Sequence, residues 1–211
     1  MSSSSKKCDI YLTRHGETDW NFQDLVQGQT DIPLNATGIS QALQLRELLA
    51  DIPFSAAFSS DLSRAQLTAE LIVKPRQLRV KASPALRERS AGTLEGVNKH
   101  IFDEKIRPFL TSAKALHHET YLTTPWHPEI ETTHSVLKRV SDFLFPLADL
   151  YPNQSLLVVS HGGVLRSILD YLSFTPTMRW MVDNCGFIKI ELDRQKMKLL
   201  DYHRVFHKPI G

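Results

Sequence analysis

Cysteine, long apolar runs and net charge are all scarce in this sequence. Cys8 and Cys185 are the only two cysteines among 211 residues, so we expect no disulfide framework and a reducing, cytoplasmic environment. No apolar segment approaches the roughly 20 residues that a membrane-spanning helix needs. A net charge of +2 gives no reason to expect nucleic acid as a partner. An ordinary globular chain remains, expected to be a monomer or a homodimer with neither membrane nor nucleic acid as partner.

Metal-binding patterns are also missing, although the chain contains nine histidines. No His-Glu-x-x-His pattern occurs and no pair of cysteines joins the histidines, so a zinc site is not expected. Four histidines are instead interpreted as solvated residues or parts of a lid, namely His117, His118, His127 and His134.

Short apolar runs alternate with stretches of helical periodicity, which predicts the α/β class. Strands are expected near residues 10–12, 56–60, 77–82, 155–160, 186–192 and 197–203. Helices are expected from Thr37 to about Leu49, after a cap at Ser60 or Asp61, over 133–150 and after His161. The expected architecture is a three-layer α/β/α sandwich with a mostly parallel central sheet of about six strands. The last two strands allow one antiparallel edge strand.

One domain is expected over residues 8–211, after a flexible serine-rich tail at residues 1–7. Residues 97–133 have the least regular pattern and contain the sequence Pro-Trp-His-Pro, which breaks any helix or strand. We interpret this stretch as a lid-like insertion with one short helix between Ile101 and Leu110.

Two of the predicted strands end in the same way. The strand at 10–12 leads into Arg14-His15-Gly16, and the strand at 155–160 leads into His161-Gly162-Gly163. Parallel neighbours release their carboxyl ends at the same edge of a sheet, where α/β proteins hold their ligands. We therefore expect His15 and His161 to meet there.

Two arginines fit an anion at this edge. Arg14 can donate two hydrogen bonds from its guanidinium to the oxygens of one phosphate. Arg64 falls in the first turn of a predicted helix, where the helix dipole disfavours a cation unless an anion is bound nearby. The helix that begins at Gly162 adds backbone N–H groups for the same phosphate.

Cleavage of a phosphate ester through histidine also requires an acid for the leaving oxygen. Glu88 lies in an irregular charged segment, and a partly desolvated glutamic acid suits this work. Spacing alone leaves four rivals open, which are Glu17, Asp19, Asp31 and Glu95.

These residues resemble the histidine phosphatase superfamily, specifically its phosphoglycerate mutase-like branch. The similar stretches are Arg14–Thr18 with Asn21, Gln27-Gly28, Asp31–Leu34, Ser59–Ala65, Leu86–Arg89 and Ser160–Gly163. They follow the order and spacing of that family between residue 10 and about residue 190.

The resemblance implies a fold, a mechanism and a set of site residues. His15 is implied as the nucleophile that becomes phosphohistidine, and Glu88 as the general acid. His161 is implied to act with the phosphate, alongside six further binding residues, which are Arg14, Asn21, Gln27, Gly28, Arg64 and Gly162. Arginines and histidines neutralise the phosphate in this family, so neither a metal nor another cofactor is expected.

Departures from the mutases bear on the reaction. Mutases have a tyrosine three residues after the acid, where this chain has Ala91, and they have adjacent arginines in a longer insertion. Lys99, in a Gly-Val-Asn-Lys sequence, is instead similar to the mutase pattern. We expect a phosphatase of small phosphomonoesters, such as sugar phosphates or phosphoglycerates. A phosphoglycerate mutase and a phosphoprotein-binding regulatory module are the alternatives.

Overall fold

The computed structural model describes residues 6–113, 116–175 and 177–209. The strands are β1 (Lys7–Arg14), β2 (Phe54–Ser59), β3 (Val80–Ala82), β4 (Ser155–Ser160), β5 (Met178–Asp193) and β6 (Lys196–Pro209). The helices are α1 (Asp19–Phe22), α2 (Ala36–Leu48), α3 (Ser63–Val73), α4 (Lys99–Ala113), α5 (His118–Thr123), α6 (Thr133–Leu150) and α7 (Gly162–Leu172). β1 begins at Lys7, the last residue of the predicted tail, and residues 1–5 lie outside the described residues.

The six described strands form one sheet in the order β3-β2-β4-β1-β5-β6. β1 to β4 pair in parallel, whereas β5 is antiparallel to β1 and β6 is antiparallel to β5. Among the described strands only β5 therefore runs opposite to the others, and it lies next to the edge strand β6 rather than at the edge, where the antiparallel strand was expected. The tight turn at 194–195 forces β6 back along β5, because two such residues can only join antiparallel neighbours.

Both faces of the sheet are covered, which confirms the three-layer α/β/α prediction. Leu156 and Val158 of β4 belong to the core beneath α6 and α7. Leu157 and Val159 alternate with them and pack on the opposite face with residues of α2 and α3. Successive residues of a strand point to opposite faces, so a continuous apolar run is what a central strand requires.

Helix starts differ from the sequence prediction. Asn35, not Thr37, caps α2, because its side-chain oxygen accepts the Gly38 N–H at 2.8 Å. α3 begins after Leu62, which has no side-chain cap. Asp31 from a distant loop accepts the Ser63 N–H at 2.8 Å instead. A cap supplied from elsewhere in the chain leaves no local signal.

Other elements differ in extent. β3 is limited to Val80–Ala82, since Gln77 adopts a left-handed φ of 55° before it. The least regular stretch contains two helices, α4 and α5, where one was expected. β5 begins eight residues before the predicted Gly186, and a bulge interrupts its pairing with β6 between Val182 and Phe187. Among the described helices, none is long and apolar enough to cross a membrane.

Candidate active site

His15 and His161 meet at the carboxyl edge of the sheet, as expected. Arg14 pairs with Ser160 in the β1–β4 register, so both strands end at the same level. The backbone N–H of His15 donates to the backbone carbonyl of Ser160 at 3.0 Å. The centroids of the two imidazole rings lie 5.1 Å apart.

One nitrogen of His15 is committed to the backbone. Its Nδ1 lies 2.6 Å from the Gly16 carbonyl oxygen. A carbonyl only accepts, so Nδ1 carries the proton and Nε2 has the free lone pair. Burial, followed by the charges of Arg64 and Arg14, holds the pKa of His15 well below its ordinary range. The buried ring is therefore a neutral imidazole that can act as a nucleophile.

His161 is fully buried at the start of α7. Neither of its ring nitrogens has a hydrogen-bond partner among the described residues. Burial, together with the nearby Arg64 and His15, also lowers the pKa of this imidazole well below its ordinary range. Unsatisfied buried nitrogens beside a second histidine indicate a site for a polar ligand.

Arg14 and Arg64 hold different positions around the histidines. Arg14 lines the cavity, where one terminal nitrogen donates to the Val182 carbonyl at 2.7 Å. Arg64 is fully buried, and its terminal nitrogens donate to the carbonyls of Thr30 and Gly28 at 2.8 and 2.9 Å. Burial lowers the pKa of Arg64 to about 10, which leaves it charged at neutral pH. Without ligand, Arg64 acts on the histidines as a buried cation behind the cavity.

The segment between β1 and α2 lies beside the histidines, and α1 is its only regular element. The side-chain oxygen of Asn21 accepts from the Thr18 N–H and from Asn184 at 3.3 and 3.2 Å. Gln27 has a buried side-chain oxygen that no described residue contacts through a hydrogen bond. Gly28 has a left-handed φ of +51°, and an added Cβ there would overlap the Glu95 carboxylate. Asn21, Gln27 and Gly28 all line the same cavity.

Glu88 is the only one of the five candidate acids that lines the cavity. Its two side-chain oxygens accept the Gly163 N–H at 3.0 Å and the Arg89 N–H at 2.7 Å. A Cβ on Gly163 would collide with this carboxylate, so a larger residue there would displace the Glu88 side chain. Glu95 and Asp31, by contrast, accept backbone N–H groups that hold the loop and α3.

An ion pair behind the acid fixes its loop. Arg139 binds the Glu131 carboxylate at 2.9 Å and donates to the carbonyls of Ala85, Arg87 and Glu88. Glu131 is thereby held in an ion pair away from the ligand cavity.

The cavity holds about 230 Å³ and extends well beyond the predicted residues. Its walls include three arginines and a tryptophan that sequence reasoning missed, namely Arg89, Arg166, Arg179 and Trp126. Arg166 had a signal, since it lies four residues after Gly162 and residues so spaced share a helix face. No sequence signal pointed to Arg179, because it lies before the strand that was predicted to begin at Gly186.

In the described ranges, no three histidine, cysteine, aspartate or glutamate side chains are grouped as a metal site would require.

Two buried histidines, a group of arginines, a carboxylate and a helix start around one cavity define an α/β enzyme that handles phosphate groups. Residues 10–204 match the family model of the histidine phosphatase superfamily (branch 1). The chain belongs to this superfamily.

Relatives of known sequence include both phosphatases and mutases. An uncharacterised phosphatase, PhoE of Bacillus subtilis (strain 168), is 32% identical over 196 residues, which cover 92% of this chain and 93% of the relative. A probable phosphoglycerate mutase, GpmB of Cronobacter sakazakii (strain ATCC BAA-894), is 30% identical over 187 residues, 86% of this chain and 84% of the relative. Among solved structures, a phosphoserine phosphatase mutant from Entamoeba histolytica superposes with a TM-score of 0.73 at 25% identity, covering 92% of this chain and 96% of that one.

Proposed function

We propose that the chain is a phosphatase that hydrolyses small phosphomonoesters through a phosphohistidine at His15. The observation that carries this proposal is the neutral His15 imidazole, whose Nε2 is free while Nδ1 is bound to the Gly16 carbonyl. A buried nucleophile between cations suits attack on a phosphorus atom whose oxygens need neutralisation.

The reaction has two steps. The Nε2 lone pair of His15 attacks phosphorus, the P–O bond to the alcohol breaks, and Glu88 gives the leaving oxygen its proton. A water then attacks the phosphohistidine, Glu88 takes a proton from this water, and the P–N bond breaks to release phosphate and the free imidazole.

The other predicted residues bind the phosphate. Arg14 and the backbone N–H of Gly162 line the cavity, and the first amides of a helix have no partner within it. Asn21, Gln27 and Gly28 line the same cavity, while Arg64 adds a positive charge and the neutral His161 adds two ring nitrogens from behind. This assignment is supported by the placement of all these residues around one cavity or directly behind it.

The segment between 97 and 133 serves as the lid in this proposal. Phe102 of α4 and Trp126 and Ile130 of the loop before α6 line the cavity, so this segment covers the place where the leaving alcohol would lie. We also propose that the protein acts in the cytoplasm, in keeping with its two buried free thiols, Cys8 and Cys185.

A phosphoglycerate mutase is the second candidate, because Lys99 lines the cavity as the mutase-like pattern implies. Lys99 is, however, paired with Asp24 at 2.9 Å, and of the described residues between 97 and 133 it is the only cation that lines the cavity. Phosphatase is therefore favoured. Conversion of 3-phosphoglycerate to 2-phosphoglycerate that depends on a bisphosphoglycerate primer would favour the mutase instead.

The decisive experiment replaces the nucleophile. His15→Ala should lower phosphate release from p-nitrophenyl phosphate by about 10⁶-fold, as expected for removal of a nucleophile. It should also abolish the acid-labile, base-stable phosphoenzyme trapped by rapid quenching with labelled substrate. The matched control is His134→Ala, whose side chain is exposed on α6 and which should keep wild-type rates. A phosphoenzyme that survives in His15→Ala would refute the assignment, and so would tight phosphopeptide binding without any turnover by the wild-type chain.

A further inference from the structure

A row of arginines continues along the cavity wall from the phosphate end toward Trp126. Arg166, Arg179 and Arg89 all line this cavity, and the mechanism above uses none of them. What this row binds bears on the substrate of the proposed phosphatase, so the inference rests on that function.

Arg166 is the member next to the phosphate end. It lies one turn after Gly162 on α7, and a Cβ added to Gly162 would lie 3.3 Å from its Nη1 and 3.5 Å from the Nε of Arg14. The two guanidinium groups thus flank the start of the helix. Within the described residues, Arg166 makes no hydrogen bond or ion pair, and its Nε is buried without a partner.

Arg179 and Arg89 share the far end with Trp126. The guanidinium carbons of Arg89 and Arg179 lie 4.1 and 5.7 Å from the centroid of the Trp126 ring. Arg89 is held by Thr133 and Ser167 at 3.0 and 2.8 Å, which fixes its direction. Arg179 is freer, because its one ion pair in the described chain is a long 3.4 Å contact with Asp103.

The negative charge around this row does not match its positive charge. Asp170 faces the arginines from behind, and burial raises the pKa of its carboxyl to about 6, so it is mostly charged at neutral pH and offsets one of them. Glu88 is bound to two backbone N–H groups, and Asp103 stands at the edge of the cavity. Burying cations without matching anions is costly, so the arrangement is stabilised when a ligand brings the missing charge.

We propose that Arg166 and Arg179 bind a carboxylate on the leaving alcohol, so that the substrate is a phosphorylated hydroxy acid. A guanidinium matches the two oxygens of a carboxylate in one plane, and a dianionic phosphate at His15 leaves room for one further negative charge. Trp126 and Phe102 supply apolar contact for the carbon chain between the two anionic groups. These arginines come from α7 and β5, and the lid provides neither of them.

The test compares two substrates with the same carbon skeleton. 3-Phosphoglycerate has a carboxylate where glycerol 3-phosphate has a neutral hydroxymethyl group. The wild-type chain should show a kcat/KM about 10- to 100-fold higher for 3-phosphoglycerate, the size of one charge-assisted interaction. Arg166→Gln and Arg179→Gln should each reduce this preference toward one and leave glycerol 3-phosphate within about threefold. Arg107→Gln, on the exposed side of α4, is the matched control and should keep the preference.

Binding to the His15→Ala chain separates this inference from the proposed function. Calorimetry on that variant needs no turnover, and it should show the same preference for 3-phosphoglycerate in Kd, lost when Arg166→Gln is added. If the wild-type chain lacks turnover but this preference holds, the proposed function fails and the carboxylate site stands. Equal affinity for both ligands, or equal losses on both substrates in the arginine variants, would overturn the carboxylate site, since the arginines would then act on the phosphate common to both.

Discussion

The two ends of the cavity are built in different ways. At the phosphate end, His15 and His161 come directly after paired strands, and each is followed by glycine where the chain leaves the sheet. At the far end, Trp126 comes from a loop between helices, Arg166 from within α7 and Arg179 from the first residues of β5.

This difference teaches where sequence patterns are informative. The phosphate end depends on short motifs at strand ends, whose direction follows from the parallel pairing of the sheet. The far end depends on how α4, α5 and β5 pack around α7, which no local pattern records. In the proposed reaction, the first end binds the phosphate that every phosphomonoester shares, whereas the second contacts the alcohol attached to it. Substitutions at the two ends should therefore have different signatures.

The largest of the remaining effects is expected for Glu88→Gln, at the boundary between the two ends. Loss of a general acid should reduce kcat by about 10²- to 10⁴-fold on alkyl phosphates, whose leaving oxygen needs a proton. p-Nitrophenyl phosphate should lose much less, because nitrophenolate leaves without one. Steady-state kinetics on a series of phenyl phosphates measures how kcat depends on the pKa of the leaving group. Glu70→Gln, on the exposed surface of α3, is the control. A uniform loss across the series would contradict the acid role.

A smaller but uniform effect is expected for Arg64→Met at the phosphate end. Removing one buried cation that stabilises transition-state charge should cost about 10²- to 10³-fold in kcat/KM on every substrate alike. Arg76→Met is a matched control, because Arg76 also donates to backbone carbonyls, those of Leu49, Ala50 and Ile52, away from the cavity. Arg76→Met should lower the melting temperature and leave kcat/KM unchanged. If the loss of kcat/KM in Arg64→Met differed between substrates, the proposed distinction between the two ends of the cavity would be wrong.

The smallest effect concerns protonation. Burial and the neighbouring arginines lower the pKa of both His15 and His161, so both rings should stay neutral as the pH falls through the ordinary value of 6.5. In the unfolded chain these histidines titrate normally and bind more protons, so stability should fall as the pH drops below 6.5. Nitrogen-15 NMR of the imidazoles, assigned with the single alanine variants, measures the titrations. Protonation of either ring at pH 6.5 or above would disagree with the burial of the pair.

Much of the fold could be read from local patterns. The predicted helix over Thr133–Leu150 and the predicted strand over 155–160 coincide with α6 and β4. Each element buries a face or a whole strand, and this burial produces a regular spacing of apolar residues within one continuous stretch of sequence. The first residues of α2 and α3, by contrast, were not predicted correctly from local patterns. Asn35 and Asp31 take part in those caps, and Asp31 lies 32 residues before the N–H group it binds.

The position of Glu88 shows the same limit within the site. Five acids were compatible with spacing, and only the family resemblance singled out Glu88; the structure shows that Glu88 lines the cavity while Glu95 and Asp31 bind backbone N–H groups. The Arg139–Glu131 pair that holds the Glu88 loop joins elements distant in sequence. No pattern of residues along the chain identifies such a support.

The sequence by itself determined the α/β class, the two strand ends and the meeting of His15 with His161. Strand pairing fixes the direction in which such ends point, so local apolar patterns sufficed for them. Only the tertiary structure decided that the Glu88 carboxylate is held by the N–H groups of Gly163 and Arg89, that Arg64 is buried behind the histidines, and that Arg166 and Arg179 line one cavity. Those relations depend on side chains from separate elements converging across a cavity, and convergence is a property of packing rather than of order along the chain.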